Sequence, residues 1–100
     1  MEPRLVPIIQ DMGPKKYLEY LTEVFQVTRL EKLTPGGEVI FKLLPNRDFT
    51  LYYVGERPEK VLVDKRGLRV LMPSKECVLM FEYENNSNPT NVEVAYSINN

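Results

Sequence analysis

From Glu38 onward, apolar residues alternate with polar ones in short runs separated by turn residues. Only one stretch before that point repeats with the period of a helix. Tyr17, Leu18, Leu21, Val24 and Phe25 lie on one helical face, with Lys16, Glu19 and Glu23 away from it. Asp11 and Gly13 precede Pro14, which suits a first helical turn, so the spacing predicts a helix over about 14–26. Ahead of it, Leu5-Val6-Pro7-Ile8-Ile9 is a short apolar run. Pro7 lacks a backbone donor, so residues 1–10 read as an edge strand or an extended arm. Gln26 to Thr34 suits a strand leading into the turn Pro35-Gly36-Gly37; otherwise the helix extends to about Leu33.

The later runs are clearer. Val39, Phe41 and Leu43 alternate with Glu38 and Lys42, and Phe49, Leu51 and Tyr53 follow the turn at Pro45-Asn46-Arg47-Asp48. Val61 and Val63 run into Asp64-Lys65-Arg66-Gly67, a tight hairpin signal, and Leu68, Val70 and Met72 return. Leu79, Phe81 and Tyr83 form the next row, and Asn85 to Pro89 reads as a loop. The last strand alternates most cleanly, with Val92, Val94, Tyr96 and Ile98 against Asn91, Glu93, Ala95 and Ser97. Connections this short imply antiparallel neighbours. The expectation is one α+β domain over 1–100: a curved antiparallel meander of six to seven strands, with the N-terminal helix packed on one face.

Such a sheet has a second face, and here that face is also apolar. Ile40, Leu44, Tyr52, Val54, Leu62, Leu71, Val78 and Met80 occupy the alternate positions. At about 1.5–3 kcal/mol per buried side chain, eight of them represent about 12–24 kcal/mol. That matches or exceeds the whole stability of a small domain, about 5–15 kcal/mol, so something must cover them. The sheet could curl on itself, two copies could pack together, or a pocket could hold an apolar ligand. Self-association or protein–protein contact through the apolar face and sheet edges is the leading expectation, with Tyr52, Val54, Leu62, Leu71 and Met80 as the contact residues. The alternative is a small apolar ligand held between the helix (Tyr17, Leu21, Phe25) and the sheet (Phe41, Leu51, Phe81).

Composition narrows the chemistry. The chain has no histidine, which removes histidine-based catalysis and histidine metal ligation. Its one cysteine, Cys77, cannot form an internal disulfide and sits in the apolar run Cys77-Val78-Leu79-Met80, where a buried thiol fits. No catalytic residue, metal site or cofactor is expected, and the protein reads as non-enzymatic. Thirteen basic residues against fourteen acidic ones provide no basic footprint for nucleic acid. No apolar run approaches the ~20 residues of a membrane helix, and the start lacks a signal-peptide pattern, so an intracellular, cytoplasmic protein is expected.

Weaker signals have ordinary explanations. Lys65, Arg66 and Arg69 cluster at one hairpin, but Glu56, Glu59 and Asp64 are interleaved, as at a solvated turn. Lys15 and Lys16 at the helix start oppose the helix dipole without forming an anion site. Six tyrosines suit an interface or core rim better than base stacking, which needs a basic surround. Asn85-Asn86-Ser87 matches a glycosylation triplet but reads as turn chemistry.

The order of elements resembles helix-grip lipid-binding domains, where a curved antiparallel sheet wraps a helix. It is also similar to cystatin-like folds, where one helix sits on a meander. Helix-grip domains end in a long helix and this chain ends in a strand pattern, so these stand as alternative arrangements and assign no family.

Overall fold

The computed structural model describes Leu5–Val6, residues 11–84 and residues 90–99. The rest of the N-terminal arm, and the triplet Asn85-Asn86-Ser87 with its loop to Pro89, lie outside the described residues.

Helix α1 (Pro14–Val24) starts where the sequence places it. Gly13 is extended, Pro14 occupies the first turn, and the Tyr17 N–H donates to the Gly13 carbonyl at 2.9 Å. It stops two residues early because Phe25 is already extended (φ −108°, ψ 152°) and the following Val27 and Thr28 favour a strand. Eight strands follow or precede it: β1 (Leu5–Val6), β2 (Gln26–Lys32), β3 (Glu38–Phe41), β4 (Phe49–Gly55), β5 (Lys60–Asp64), β6 (Gly67–Leu71), β7 (Cys77–Tyr83) and β8 (Asn91–Ser97). Gln26–Lys32 is therefore a strand and not a continuation of the helix.

The α+β class holds, but the strands do not form one meander. They divide into two sheets. The main sheet has the order β4-β7-β8-β2, with the two-residue β1 added beside β4; the small sheet has the order β3-β6-β5. The small sheet is antiparallel throughout, whereas the main sheet is mixed, because β2 pairs with β8, and β1 with β4, in parallel. The chain passes between sheets four times, and each of those links contains a proline: Pro35, Pro45, Pro58 or Pro73. Proline cannot donate to a ladder, so each one ends strand pairing within its link, where the chain crosses to the other sheet. The tight β5–β6 turn has none.

This division decides what covers each face. Val39, Phe41, Leu68, Val70 and Met72 of the small sheet pack on Phe49, Leu51, Leu79 and Phe81 of the main sheet. On the other side of the main sheet, Tyr17 and Leu21 of α1 pack on Val54, Val78, Met80, Val92 and Val94. The helix thus covers the main-sheet members of the second apolar face, Tyr52, Val54, Val78 and Met80, and the row expected to sit under it is covered instead by a sheet. The order is helix, main sheet, small sheet.

The join between the sheets is aromatic. Phe81 stacks on Phe41 across the gap at 5.0 Å between centroids, and on Phe49 at 5.5 Å, with Tyr83 edge-on at 5.1 Å. Tyr83 also ties down the β3–β4 link: its hydroxyl donates to the Lys42 carbonyl at 2.7 Å and accepts from the Leu44 N–H at 2.9 Å. At the β2 side, Arg29 donates to the Ile40 carbonyl of β3 at 2.7 Å, and its guanidinium lies 5.7 Å from the Phe41 ring centre. A bulge at Thr28, where the β2–β8 register shifts, accompanies this turn of Arg29 toward the small sheet.

Gly67 opens β6 with φ +126°, and an added Cβ would strike the Phe41 carbonyl. Gly36 has φ +80° but open space around it. In urea unfolding, Phe81→Ala is expected to cost about 3–5 kcal/mol, through the cavity left between the sheets. Gly67→Ala is expected to cost roughly 1–3 kcal/mol and Gly36→Ala less, because only the first combines backbone strain with a collision. Equal losses at the two glycines would contradict the packing of Gly67 on β3.

Candidate functional site

With both faces of the main sheet covered, the outward face of the small sheet is the remaining sheet surface. Register places Ile40, Arg69 and Leu62 in one row across β3, β6 and β5, and Glu38, Leu71 and Lys60 in the next. Val39, Phe41, Leu68 and Val70 point inward from the same strands, so period-two alternation fixes the outward set. Ile40, Leu62 and Leu71 are each half-buried.

Arg69 organises this face. Its Nη1 donates to Asp64 Oδ2 and its Nη2 to Glu38 Oε2, each at 2.9 Å. The guanidinium is thereby spread from the β5–β6 turn to the start of β3. Hydrogen bonds to Glu38 and Asp64 hold the Arg69 pKa above its ordinary value. Asp64 is lowered in turn, first by the Arg69 hydrogen bond and then by the Arg66 N–H, which donates to it at 2.8 Å. Arg69 Nε is buried with no hydrogen-bond partner. An arginine held flat by two carboxylates among aliphatic side chains costs little further ordering on contact, and this residue type is common at the energetic centres of interfaces.

The residues expected to form a single contact surface are not together. Leu62 and Leu71 lie on the outward small-sheet face, whereas Tyr52, Val54 and Met80 lie in the helix-covered cluster. Nor do the residues expected around an apolar ligand share a cavity. Tyr17, Leu21 and Phe25 are on the helix side of the main sheet, and Phe41, Leu51 and Phe81 are in the core between the sheets. Ile40 and Arg69 share this face with Leu62 and Leu71 but lie outside the expected contact set. The signal was available in the two-residue turn at Lys65–Arg66, which fixes β5–β6 register and so puts Arg69 beside Leu62.

Two other features were weighed as sites. An open depression of about 250 Å³ lies at the end of the main sheet, lined by Thr28, Phe81, Glu82, Tyr83, Asn91 and Glu93. Its polar groups include structural ones: Thr28 Oγ1 donates to the Val92 carbonyl at 3.2 Å, and Glu93 accepts from Arg29 at 3.4 Å. Burial opposes the charge on Arg29, but hydrogen bonds and charge from Glu31 and Glu93 outweigh it and leave its pKa raised. The second feature is the fully buried Tyr17 hydroxyl, which has no hydrogen-bond partner. Burial, followed by the nearby Tyr20, Glu82 and Tyr52, raises its pKa. Among the described residues, no cluster of three or more acidic or cysteine side chains could hold a metal ion, and no helix is long and apolar enough to cross a membrane.

No family model, curated protein or solved structure matches this chain.

Cys77 faces the core between the sheets, and burial, with a smaller contribution from Glu56, pushes its thiol from 9.0 up to about 12. The unfolded thiol ionises near pH 9 while the folded one stays protonated, so stability falls as pH rises from about 9 to about 12. The denaturation midpoint of the protein is expected to drop over this range, and Cys77→Ala to drop less steeply. The folded protein is expected to resist iodoacetamide at neutral pH and to react once unfolded. Rapid labelling of the native thiol would contradict its placement.

Proposed function

We propose that this is a small non-enzymatic protein that works by association, docking another protein surface on the outward face and open edge of the small sheet. The observation that carries the reading is the grouping of Ile40, Leu62 and Leu71 around Arg69 on a face with no further layer over it among the described residues. The other sheet has a helix on one side and a sheet on the other, which leaves the small sheet's outer surface as the uncovered sheet face among the described residues. Aliphatic side chains encircling a constrained arginine and rimmed by Glu38, Lys60 and Asp64 follow the pattern of an apolar centre within a polar border. Val63, on the inner face opposite Leu68, is still 39% exposed because β5 is an edge strand with nothing described beside it.

Binding of an apolar small molecule between helix and sheet has less support, because the helix residues and the aromatic residues proposed for that role lie on opposite sides of the main sheet.

The test compares the protein's size in fresh lysate of the cells that make it with that of its Leu71→Glu variant. Leu71 points outward and is half-buried, so the substitution is expected to leave the thermal midpoint nearly unchanged while moving the protein from a larger complex to the monomer position on size exclusion. If both forms run as monomers in lysate and the purified chain is also monomeric up to millimolar concentration, the reading is wrong.

A further inference from the structure

We infer that the partner taken at the β5 edge is a second copy of this chain, paired antiparallel through β5 about a two-fold axis at Leu62. The inference rests on the association reading above and names its occupant.

The edges were compared first. β2 ends the main sheet, but it carries the bulge at Thr28, and its Arg29 is turned onto the Ile40 carbonyl of β3. A bulge and an inward-turned charge are devices that keep an edge from pairing. The same hydrogen bond occupies a carbonyl of β3, the end strand of the small sheet on that side. β5 ends the small sheet on the other side. Its register to β6 runs unbroken from Lys60 to Asp64, and no described element pairs with its outer side. In an antiparallel ladder alternate residues send their backbone groups to opposite sides, so β5 presents unpaired donors and acceptors outward.

Charge selects the occupant. The segment reads Glu59-Lys60-Val61-Leu62-Val63-Asp64-Lys65. When β5 is laid antiparallel on itself with Leu62 at the axis, Lys60 faces Asp64 of the second copy, and Glu59 in the flanking bend comes to the same end as its Lys65 in the β5–β6 turn. Val61 faces Val63, and Leu62 meets Leu62. Every charged position meets the opposite sign, twice over by symmetry, and every apolar position meets an apolar one. Charges on an edge strand ordinarily discourage pairing with another copy. Here their order does the reverse, since opposite charges directly across strands attract and like charges repel. Asp64 already accepts from Arg69 and from the Arg66 N–H, and a carboxylate has capacity for a further donor. The ladder ends at Lys60, because the Glu59 N–H donates inward to the Leu71 carbonyl at 3.0 Å and Pro58 before it has no N–H.

The product is a continuous six-stranded sheet, β3-β6-β5 joined to the same three strands of the second copy. The Leu62 side chains meet on the outward face, beside Leu71 and Ile40. Five residues of edge pairing make a small interface, so association belongs in the micromolar-to-millimolar range and depends on concentration.

Sedimentation velocity on the purified chain, from micromolar to millimolar, tests this with Glu59→Lys, Lys65→Glu and the double variant. Glu59 and Lys65 are exposed and flank the strand, so the fold is expected to tolerate both changes. Each single variant is expected to raise the dimer dissociation constant by about tenfold or more, because two attractions become two repulsions. The double variant restores opposite signs and is expected to return within about threefold of the original. A dimer indifferent to all three variants overturns the β5 register and leaves the association reading standing. A purified chain monomeric to millimolar, with a larger complex in lysate, overturns the second copy as occupant alone. Monomers in both settings overturn both.

Discussion

The stack of Phe41, Phe81 and Phe49 is where the two sheets become one molecule. Phe81 belongs to a central strand of the main sheet and Phe41 to an end strand of the small one, so their contact sets how the layers face each other. The rest of the inter-sheet core, from Val39 to Met72 on one side and Leu51 to Leu79 on the other, fills in around that stack. Aromatic rings suit this position because each covers a large apolar area with few rotatable bonds. With one face of the main sheet closed in this way, the helix is left to close the other, and Tyr17 and Leu21 suffice to seat it.

Two arginines perform related work at the margins of this arrangement. Arg29 reaches from the main sheet to the small one, and Arg69 reaches across the small sheet from its turn to its far strand. Both are partnered by two carboxylates, Glu31 and Glu93 in one case and Glu38 and Asp64 in the other. A planar guanidinium with a fixed fork of donors can bridge separate strands in a way that a lysine cannot. Arg29 fastens layers together and guards an edge, whereas Arg69 stiffens an outward face. That difference in placement is why the second is read as part of a contact surface and the first as structure.

Much of the local structure was legible from residue order. Pro14 and the spacing of Tyr17, Leu21 and Phe25 located the helix, and alternation placed every strand from β3 to β8. The need for a cover over the second apolar face was also legible, since Val54, Val78 and Met80 could not stay wet. The identity of the cover was not. Alternation reports that a residue points to one face of its own strand and says nothing of which sheet that strand joins. Prolines 35, 45, 58 and 73 are equally consistent in sequence with turns inside one sheet, though proline also marks where a strand leaves its neighbour. Parallel pairing of β2 with β8 was invisible for a related reason, because short links describe consecutive strands and these two are far apart in the chain. The candidate site was split accordingly: Leu62 and Leu71 reached the outward face, and Tyr52, Val54 and Met80 went under the helix.

The pairing of β2 with β8 also bears on the birth of the molecule. On a ribosome, β2 emerges early and β8 after the other described strands, so β2 must wait for β8 before it joins the rest of its sheet. Until then the β2 backbone has no ladder to complete, and Val27 can lie only against the helix side of its cluster. Long-range closures of this kind are slow and leave adhesive intermediates. The interval between the emergence of β2 and its pairing with β8 is therefore when this fold is most open to adhesion.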